Sequence, residues 1–201
     1  MTFPVIPVNN RSLKNRKLVE GVGVNDADYQ TQPTVNGKRI ICPFYRKWHA
    51  MLIRCYSKKH LKSQPSYVGC SVCKEWLTFS TFKKWMVDQE WEGKHLDKDI
   101  LNKGNKIYSP NGCIFVSNDI NSLIVDSGKR RGKHPKGVHY QKAIGKFQVC
   151  CKIRGKSTHV GYYSNAIDAS EAYIEFKREH IAKIALTQKE PLKSALLTYD
   201  V

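Results

Sequence analysis

Between Ser127 and Ile167 the chain carries ten Lys or Arg residues and no Asp or Glu, and much of that stretch alternates apolar and polar side chains. The combination limits the fold sharply. A segment this basic cannot be buried on both sides, and a period of two collects its apolar residues on one face of a strand. In Phe147-Gln148-Val149-Cys150-Cys151-Lys152-Ile153-Arg154, the residues Phe147, Val149, Cys151 and Ile153 share one face, while Gln148, Cys150, Lys152 and Arg154 share the other. Val138 and Tyr140 alternate with His139 and Gln141 before it; Thr158, Val160 and Tyr162 alternate with Ser157, His159 and Gly161 after it. With turns at Ile144-Gly145-Lys146 and Arg154-Gly155-Lys156, the pattern predicts a three-stranded antiparallel sheet. Ser164 or Asn165 suits an N-cap, and Ala169, Ala172, Tyr173, Phe176 and His180 follow at helical spacing, so a helix can cover the apolar face. His139, Gln141, Gln148, Lys152, Arg154 and His159 would then project together from an uncovered surface, of a width suited to the major groove of DNA.

Four elements of this stretch carry a family resemblance: Lys136-Gly137-Val138-His139, Gly145-Lys146-Phe147, Val160-Gly161-Tyr162-Tyr163 and the Ala-rich Asp168-Ala169-Ser170-Glu171-Ala172-Tyr173. In order and spacing they resemble an AP2/ERF DNA-binding domain. The resemblance implies that the sheet lies in the major groove with side chains on bases and phosphates. Several arginines and a tryptophan of that family are replaced, Lys136, His139, Gln141, Lys152 and His159 standing at the matching positions. The family's sequence preference therefore does not transfer. The DNA-contacting set expected here is Lys129, Arg130, Arg131, Lys136, His139, Gln141, Lys142, Lys146, Gln148, Lys152, Arg154, Lys156 and His159.

The formal net charge of +17, from 34 basic and 17 acidic side chains, also favours a nucleic-acid partner. A membrane surface is the competing reading of such charge. No amphipathic basic helix without a core role is evident, and no apolar run approaches the roughly 20 residues that span a bilayer. Met1-Thr2-Phe3-Pro4-Val5-Ile6-Pro7 lacks the charged start and long apolar core of a secretory signal, so a cytoplasmic location is expected. Seven cysteines, an odd number, then read as reduced thiols rather than a disulfide framework.

At 201 residues two small modules fit the pattern better than one domain. Residues 1–39 mix Pro, Asn, Gly and charges without sustained periodicity and read as an irregular arm. From Pro43, the residues Tyr45, Trp48, Met51, Leu52, Cys55 and Tyr56 recur at spacings of three and four, which predicts a core helix. Trp76, Phe79, Phe82, Trp85 and Met86 predict a second, with an aromatic stripe. Between them Cys70-Ser71-Val72-Cys73 is a lone CxxC, the half-site of many Zn²⁺ clusters, although Cys side chains beside apolar segments commonly act as small hydrophobes.

His95-Leu96-Asp97-Lys98-Asp99-Ile100 alternates as a short strand, followed by a polar loop (Asn102 to Asn111), a strand Cys113-Ile114-Phe115-Val116, and a helix opening at Ser117 or Asn118 that includes Asn121. Strand, loop, strand, helix is the order of a ββα-metal finger. Together with Trp48-x-x-Met51-x-x-Arg54-Cys55-Tyr56, Glu75-Trp76 and Gly104-Asn105-Lys106-x-Tyr108-Ser109-Pro110, it resembles the HNH (His-Me finger) endonucleases of the phage homing type that carry a C-terminal AP2 domain. The resemblance covers about Tyr45 to Ala182 and implies a phage origin, so that the expected cytoplasm is that of a bacterial host. It implies a divalent ion, Mg²⁺ or Mn²⁺, at Asp97, Asp99 and Asn121, and a histidine base at the position that Lys98 occupies. A lysine near its reference pKa of about 10.4 is protonated at neutral pH and cannot take a proton from water. Lys98 would instead orient phosphate, and His95, on the same strand face as Asp97 and Asp99, would be the displaced base.

The expected architecture is thus α+β: a degenerate HNH-like ββα finger with flanking helices over residues 40–126, a basic linker at 127–135, an AP2-like sheet and helix over 136–186, and a tail at 187–201 in which Leu192, Leu196 and Leu197 suit a short helix. The expected function is that of a DNA-binding protein that is also a metal-dependent endonuclease. The alternative is a catalytically inactive DNA binder, a regulator or inhibitor of a nucleic-acid machine.

Overall fold

The computed structural model describes residues 3–124 and 133–201. The elements in chain order are α1 (Asn10–Lys14), β1 (Thr34–Val35), β2 (Lys38–Arg39), α2 (Pro43–Tyr56), α3 (Lys58–Ser63), β3 (Ser71–Val72), α4 (Phe79–Val87), β4 (His95–Asp97), β5 (Ile107–Tyr108), β6 (Ile114–Val116), α5 (Asn118–Ile124), β7 (Val138–Gln141), β8 (Lys146–Ile153), β9 (Lys156–Tyr163), α6 (Ala166–Ala185) and α7 (Leu192–Leu197). This is a mixed α+β chain, as expected. It divides into two units, Met1–Glu92 with Asn102–Phe115, and Gly93–Leu101 with Val116–Val201.

In the first unit Pro43 opens α2, its fixed φ suiting the first turn, and Tyr45, Trp48, Met51, Leu52 and Cys55 are the buried stripe. The expected second helix is broken in two. Lys74–Leu77 forms a single 3₁₀ turn, Thr78 is extended, and α4 starts only at Phe79. The break has a cause upstream: Val24 donates to the Leu77 carbonyl at 2.8 Å and accepts from the Phe79 amide at 3.0 Å, a bridge that an unbroken helix could not make. Trp48, Trp76, Phe79, Phe82 and Met86 are nevertheless fully buried, and the Trp48 indole donates to the Trp76 carbonyl at 2.7 Å.

The N-terminal arm is poor in regular structure but anchored. The Arg16 guanidinium donates to the carbonyls of Asn25 at 2.8 Å and Tyr29 at 3.0 Å, supplying backbone partners that secondary structure would otherwise provide. A Cβ on Gly23 would overlap Leu52 and the Trp48 ring, so only glycine lets the arm approach α2 this closely.

In the second unit β7, β8 and β9 form the expected antiparallel sheet. Asn165 caps α6, its side-chain oxygen accepting the amides of Ile167 at 3.0 Å and Asp168 at 2.9 Å. The helix lays Ala169 and Tyr173 on Val138, Val149 and Cys151. Its buried row is Ala169, Tyr173, Lys177, Ile181 and Ala185, one residue every four; of the expected set Ala169 and Tyr173 lie in that row, Phe176 packs half-buried against the same core, and Ala172 and His180 are half-buried. Lys177 is only 3% exposed, its ammonium 5.9 Å from the centre of the Tyr173 ring. The tail does form a helix, α7, with Leu192 and Leu196 buried.

Trp76 is 0% exposed, whereas Trp85, its ring centre 4.5 Å away and tilted by 51°, is half-buried. Trp76→Ala should therefore cost about 3–5 kcal/mol in urea unfolding and Trp85→Ala distinctly less. Equal losses would mean that Trp85 belongs to the same sealed core.

Candidate nucleic-acid interface

Covering one side of a sheet with a helix leaves the other side to solvent. The register assigns the sides: Val138 pairs with Val149 and Tyr140 with Phe147 towards α6, while His139 pairs with Gln148 and Gln141 with Lys146 on the outer face. On the other flank Cys150 pairs with His159 and Lys152 with Ser157, also outward. Two interstrand steps of about 4.8 Å make the ribbon roughly 10 Å across, against about 12 Å for the major groove.

Strict alternation fails once. Val149 pairs with Gly161 but Cys150 with His159, so Val160 has no cross-strand partner and forms a bulge. Beyond it the parity of β9 inverts. Gly161 and Tyr163 turn towards the core, and Tyr162, expected on the apolar side with Thr158, emerges outward at 49% exposed. Its ring lies 4.7 Å from that of His159. A glycine inside an otherwise regular strand was the available signal for this bulge.

The outer face carries a hydrogen-bonded ladder across all three strands. Gln141 Nε2 donates to Gln148 Oε1 at 2.6 Å, and Gln148 Nε2 lies 3.3 Å from His159 Nδ1. Because Gln148 Nε2 is a donor, His159 Nδ1 accepts and its Nε2 carries the proton. Lys146 and Lys152 flank the ladder and Cys150 sits half-buried within it. At the β8–β9 tip Arg154 has φ of 47° and Gly155 of 79°, the paired left-handed residues of a two-residue hairpin turn. Arginine in that conformation costs about 1–2 kcal/mol relative to glycine. Its side chain is 77% exposed and lies 3.9 Å from Asp119 Oδ2.

Of the expected contact set, His139, Gln141, Lys146, Gln148, Lys152 and His159 come together on this face. Lys142 is exposed in the β7–β8 turn. Lys156 pairs with Ile153 and so has core-side parity at the hairpin end. Lys136 is half-buried before β7, near enough to the Cys151 thiol to oppose the upward push of burial on its pKa. Lys129, Arg130 and Arg131 lie outside the described residues. On the far side of the module the carboxylates of Asp168, Glu171, Glu175 and Glu179 are exposed on α6, opposite its buried row.

The finger-like segment has a different character. β4 ends at Asp97 and packs against α5, whose Ile120, Leu123 and Ile124 are buried and whose first turn is capped by Ser117 Oγ accepting the Ile120 amide at 3.3 Å. His95 and Asp99 are exposed; Leu96, Lys98 and Ile100 are buried. Lys98 is thus 5% exposed on the inward side, with Nζ 2.6 Å from Asp99 Oδ2. Asp97 Oδ1 accepts the amides of Asp99 at 2.8 Å and Ile100 at 2.7 Å, tying the turn that ends the strand. Burial raises the Asp97 carboxyl pKa, and those amides pull it partly back. Asn121 is half-buried on α5. These engagements leave Asp97 Oδ2, Asp99 Oδ1 and the Asn121 carboxamide oxygen as oxygens of the kind suited to a hard cation. Among the described residues no three His, Cys, Asp or Glu side chains form a metal-holding group. Cys70 and Cys73 are free thiols, Cys70 buried and Cys73 half-buried, and burial pushes the Cys73 pKa up, against the thiolate that zinc requires.

Compared with family models, curated proteins and solved structures, the chain matches none. Among the described residues no helix is long and apolar enough to cross a membrane.

The Asp97 geometry separates a structural role from a chemical one. Asp97→Asn keeps an acceptor for both amides and should leave the melting temperature at pH 7 unchanged or raised, whereas Asp97→Ala should cost about 1–3 kcal/mol. Because the folded pKa is raised, the carboxylate penalty is absent below the unfolded value of about 3.9 and develops as pH rises through the folded one. The advantage of Asp97→Asn over wild type should therefore grow from pH 3 to pH 7 in thermal melts. An advantage that shrinks over that range would contradict the burial argument.

Proposed function

We propose that the protein binds duplex DNA by laying the outer face of β7, β8 and β9 into the major groove. The observation that carries this reading is the separation of charge across one sheet. One face holds Lys146, Lys152, two histidines and two hydrogen-bonded glutamines; the covering helix turns its carboxylates the other way. Such a module is oriented by a polyanion before contact. The lysines are suited to phosphates and the Gln141–Gln148–His159 ladder to base edges, with donors and acceptors already fixed in direction. Arg154 adds an exposed cation at the hairpin tip, on the side where it reaches Asp119 of α5 and, after burial, helps lower the pKa of His180 on α6. The AP2/ERF resemblance agrees with this reading.

A second reading adds DNA hydrolysis. It is favoured by His95, exposed at the edge of the α5-packed strand on the same side as Asp97 and Asp99, and by the HNH resemblance. In it His95 would take the proton of the attacking water, and the side-chain oxygens of Asp97, Asp99 and Asn121 would hold Mg²⁺ or Mn²⁺. A bound divalent ion would supply charge neutralisation at the phosphate. The burial of Lys98, whose ammonium is turned inward and held by Asp99, favours the alternative, a binder without hydrolysis, because the group at the family's base position is not presented to a substrate.

If about six phosphates are contacted, affinity for duplex DNA should fall about a thousandfold between roughly 50 and 200 mM salt. Lys152→Ala should weaken binding to all sequences alike, whereas Gln148→Ala should mainly reduce discrimination between sequences. Arg154→Gly should raise the melting temperature and lower the affinity. Affinity indifferent to salt, or unaffected by Lys152→Ala and Arg154→Gly together, would refute the sheet as the interface. Nicking of supercoiled plasmid that needs Mg²⁺ or Mn²⁺ and is lost in His95→Ala would establish hydrolysis; intact binding without nicking leaves the binder.

A further inference from the structure

The unit that lacks the sheet carries the larger share of the net positive charge. Met1–Glu92 with Asn102–Phe115 holds 17 Lys and Arg against 7 Asp and Glu; the other unit holds 17 against 10. The charges are also segregated within it. All seven carboxylates fall between Glu20 and Asp28 or between Glu75 and Glu92, while Tyr29 to Lys74 has nine Lys or Arg and no acid, and Asn102 to Phe115 has two and none.

The fold gathers part of these acid-free segments around one ring. Tyr67, in the 3₁₀ turn Pro65–Tyr67, has the Arg54 guanidinium 6.0 Å from its centre and the His60 ring at 5.5 Å. Lys106 Nζ donates to the neighbouring Ser66 carbonyl at 3.0 Å, brought there by the parallel pairing of β3 with β5. α3 adds the exposed Lys58, Lys59 and Lys62 beside His60. On α2, one turn and more before Arg54, Lys47 lies near both Arg46 and Arg54. After burial, these two cations are what depress its pKa. Lys58, Lys59 and Lys62, exposed within five residues of chain on α3, repel one another, and a polyanion would offset that repulsion.

We propose that the surface built from the end of α2, α3 and the Pro65–Tyr67 turn is a second nucleic-acid contact, directed at the phosphate backbone and independent of the sheet. It rests on nucleic acid being the partner. The residue types separate the two roles. The sheet offers amides and imidazoles with directional bonds; this surface offers flexible ammonium groups, which hold phosphates as point charges without reading sequence. The chain would thus hold DNA at two places, one selective and one not.

The test is the salt dependence of binding by the full chain to two unrelated 30-bp DNA duplexes. Removing one phosphate-binding cation makes the slope of log K against log salt shallower by about 0.9. The quadruple variant Lys58→Gln, Lys59→Gln, Lys62→Gln, Lys106→Gln should flatten the slope by roughly 2–4, equally on both duplexes, with the melting temperature unchanged. Lys84→Gln, on α4 in the acid-bearing part of the same unit, should leave it unchanged. The pair Lys146→Gln, Lys152→Gln should flatten it independently, so that combining the two sets adds their effects. A slope unchanged in the quadruple variant while the sheet pair still flattens it would overturn the second contact and leave the sheet reading standing. A flattening confined to one duplex would also overturn it, because backbone contacts carry no sequence.

Discussion

A three-stranded sheet has two faces, and this one has a single helix to cover them. The packing of Ala169 and Tyr173 on Val138, Val149 and Cys151 is the interaction on which the rest of the second unit depends. It consumes the apolar face, fixes the register by giving one parity of each strand a dry environment, and obliges the other parity to stay wet. Gly137 shows how tight the contact is: with φ at 74°, a Cβ there would run into the Tyr173 ring and the Cys150 carbonyl. The polar face is therefore a consequence of how the core is made, and its basic and amide side chains are what sequence places on the side that packing leaves open.

The outer face of the sheet and the end of β4 differ in what surrounds their histidines. On the sheet, Gln148 and His159 bond to each other at the surface, so their remaining donors and acceptors point to solvent with fixed direction. At the end of β4, Asp97 is engaged by two backbone amides and Asp99 by Lys98, so the charged groups close on one another and shape the turn. A ligand meeting the first surface finds groups already arranged for it; one meeting the second must displace internal bonds. This contrast is why binding is the primary reading and hydrolysis the secondary one.

Much of the architecture was legible in the residues, and the exceptions have specific causes. Alternation in β8, the stripe of α2, the Asn165 cap and the short tail helix are local signals, and each element formed where its signal lay. What local signals could not carry was tertiary. Val24 breaks the second aromatic helix at Thr78 from more than fifty residues upstream. The bulge at Val160 reverses the face of Tyr162, which alternation alone had placed in the core. Lys177 occupies a position in the buried row of α6 that a lysine would not be assigned from its charge, its ammonium buried along with its stem 5.9 Å from the centre of the Tyr173 ring. Lys98 is buried for a comparable reason, since the strand's parity turns it inward with Leu96 and Ile100 and its ammonium finds Asp99. The basic surface near Tyr67 was visible as an acid-free run, but only the fold joins its separate segments.

The central claim is that the outer face of the sheet is the surface DNA meets, and mapping amide and side-chain NMR shifts of the full chain during titration with a short duplex tests it most directly. The account predicts that Gln141, Gln148, Cys150, Lys152, His159 and Tyr162 shift together and saturate at one equivalent, while Glu171, Glu175 and Glu179 on α6 stay in place. Shifts concentrated on the α6 carboxylate row, with the ladder residues unmoved, would contradict it.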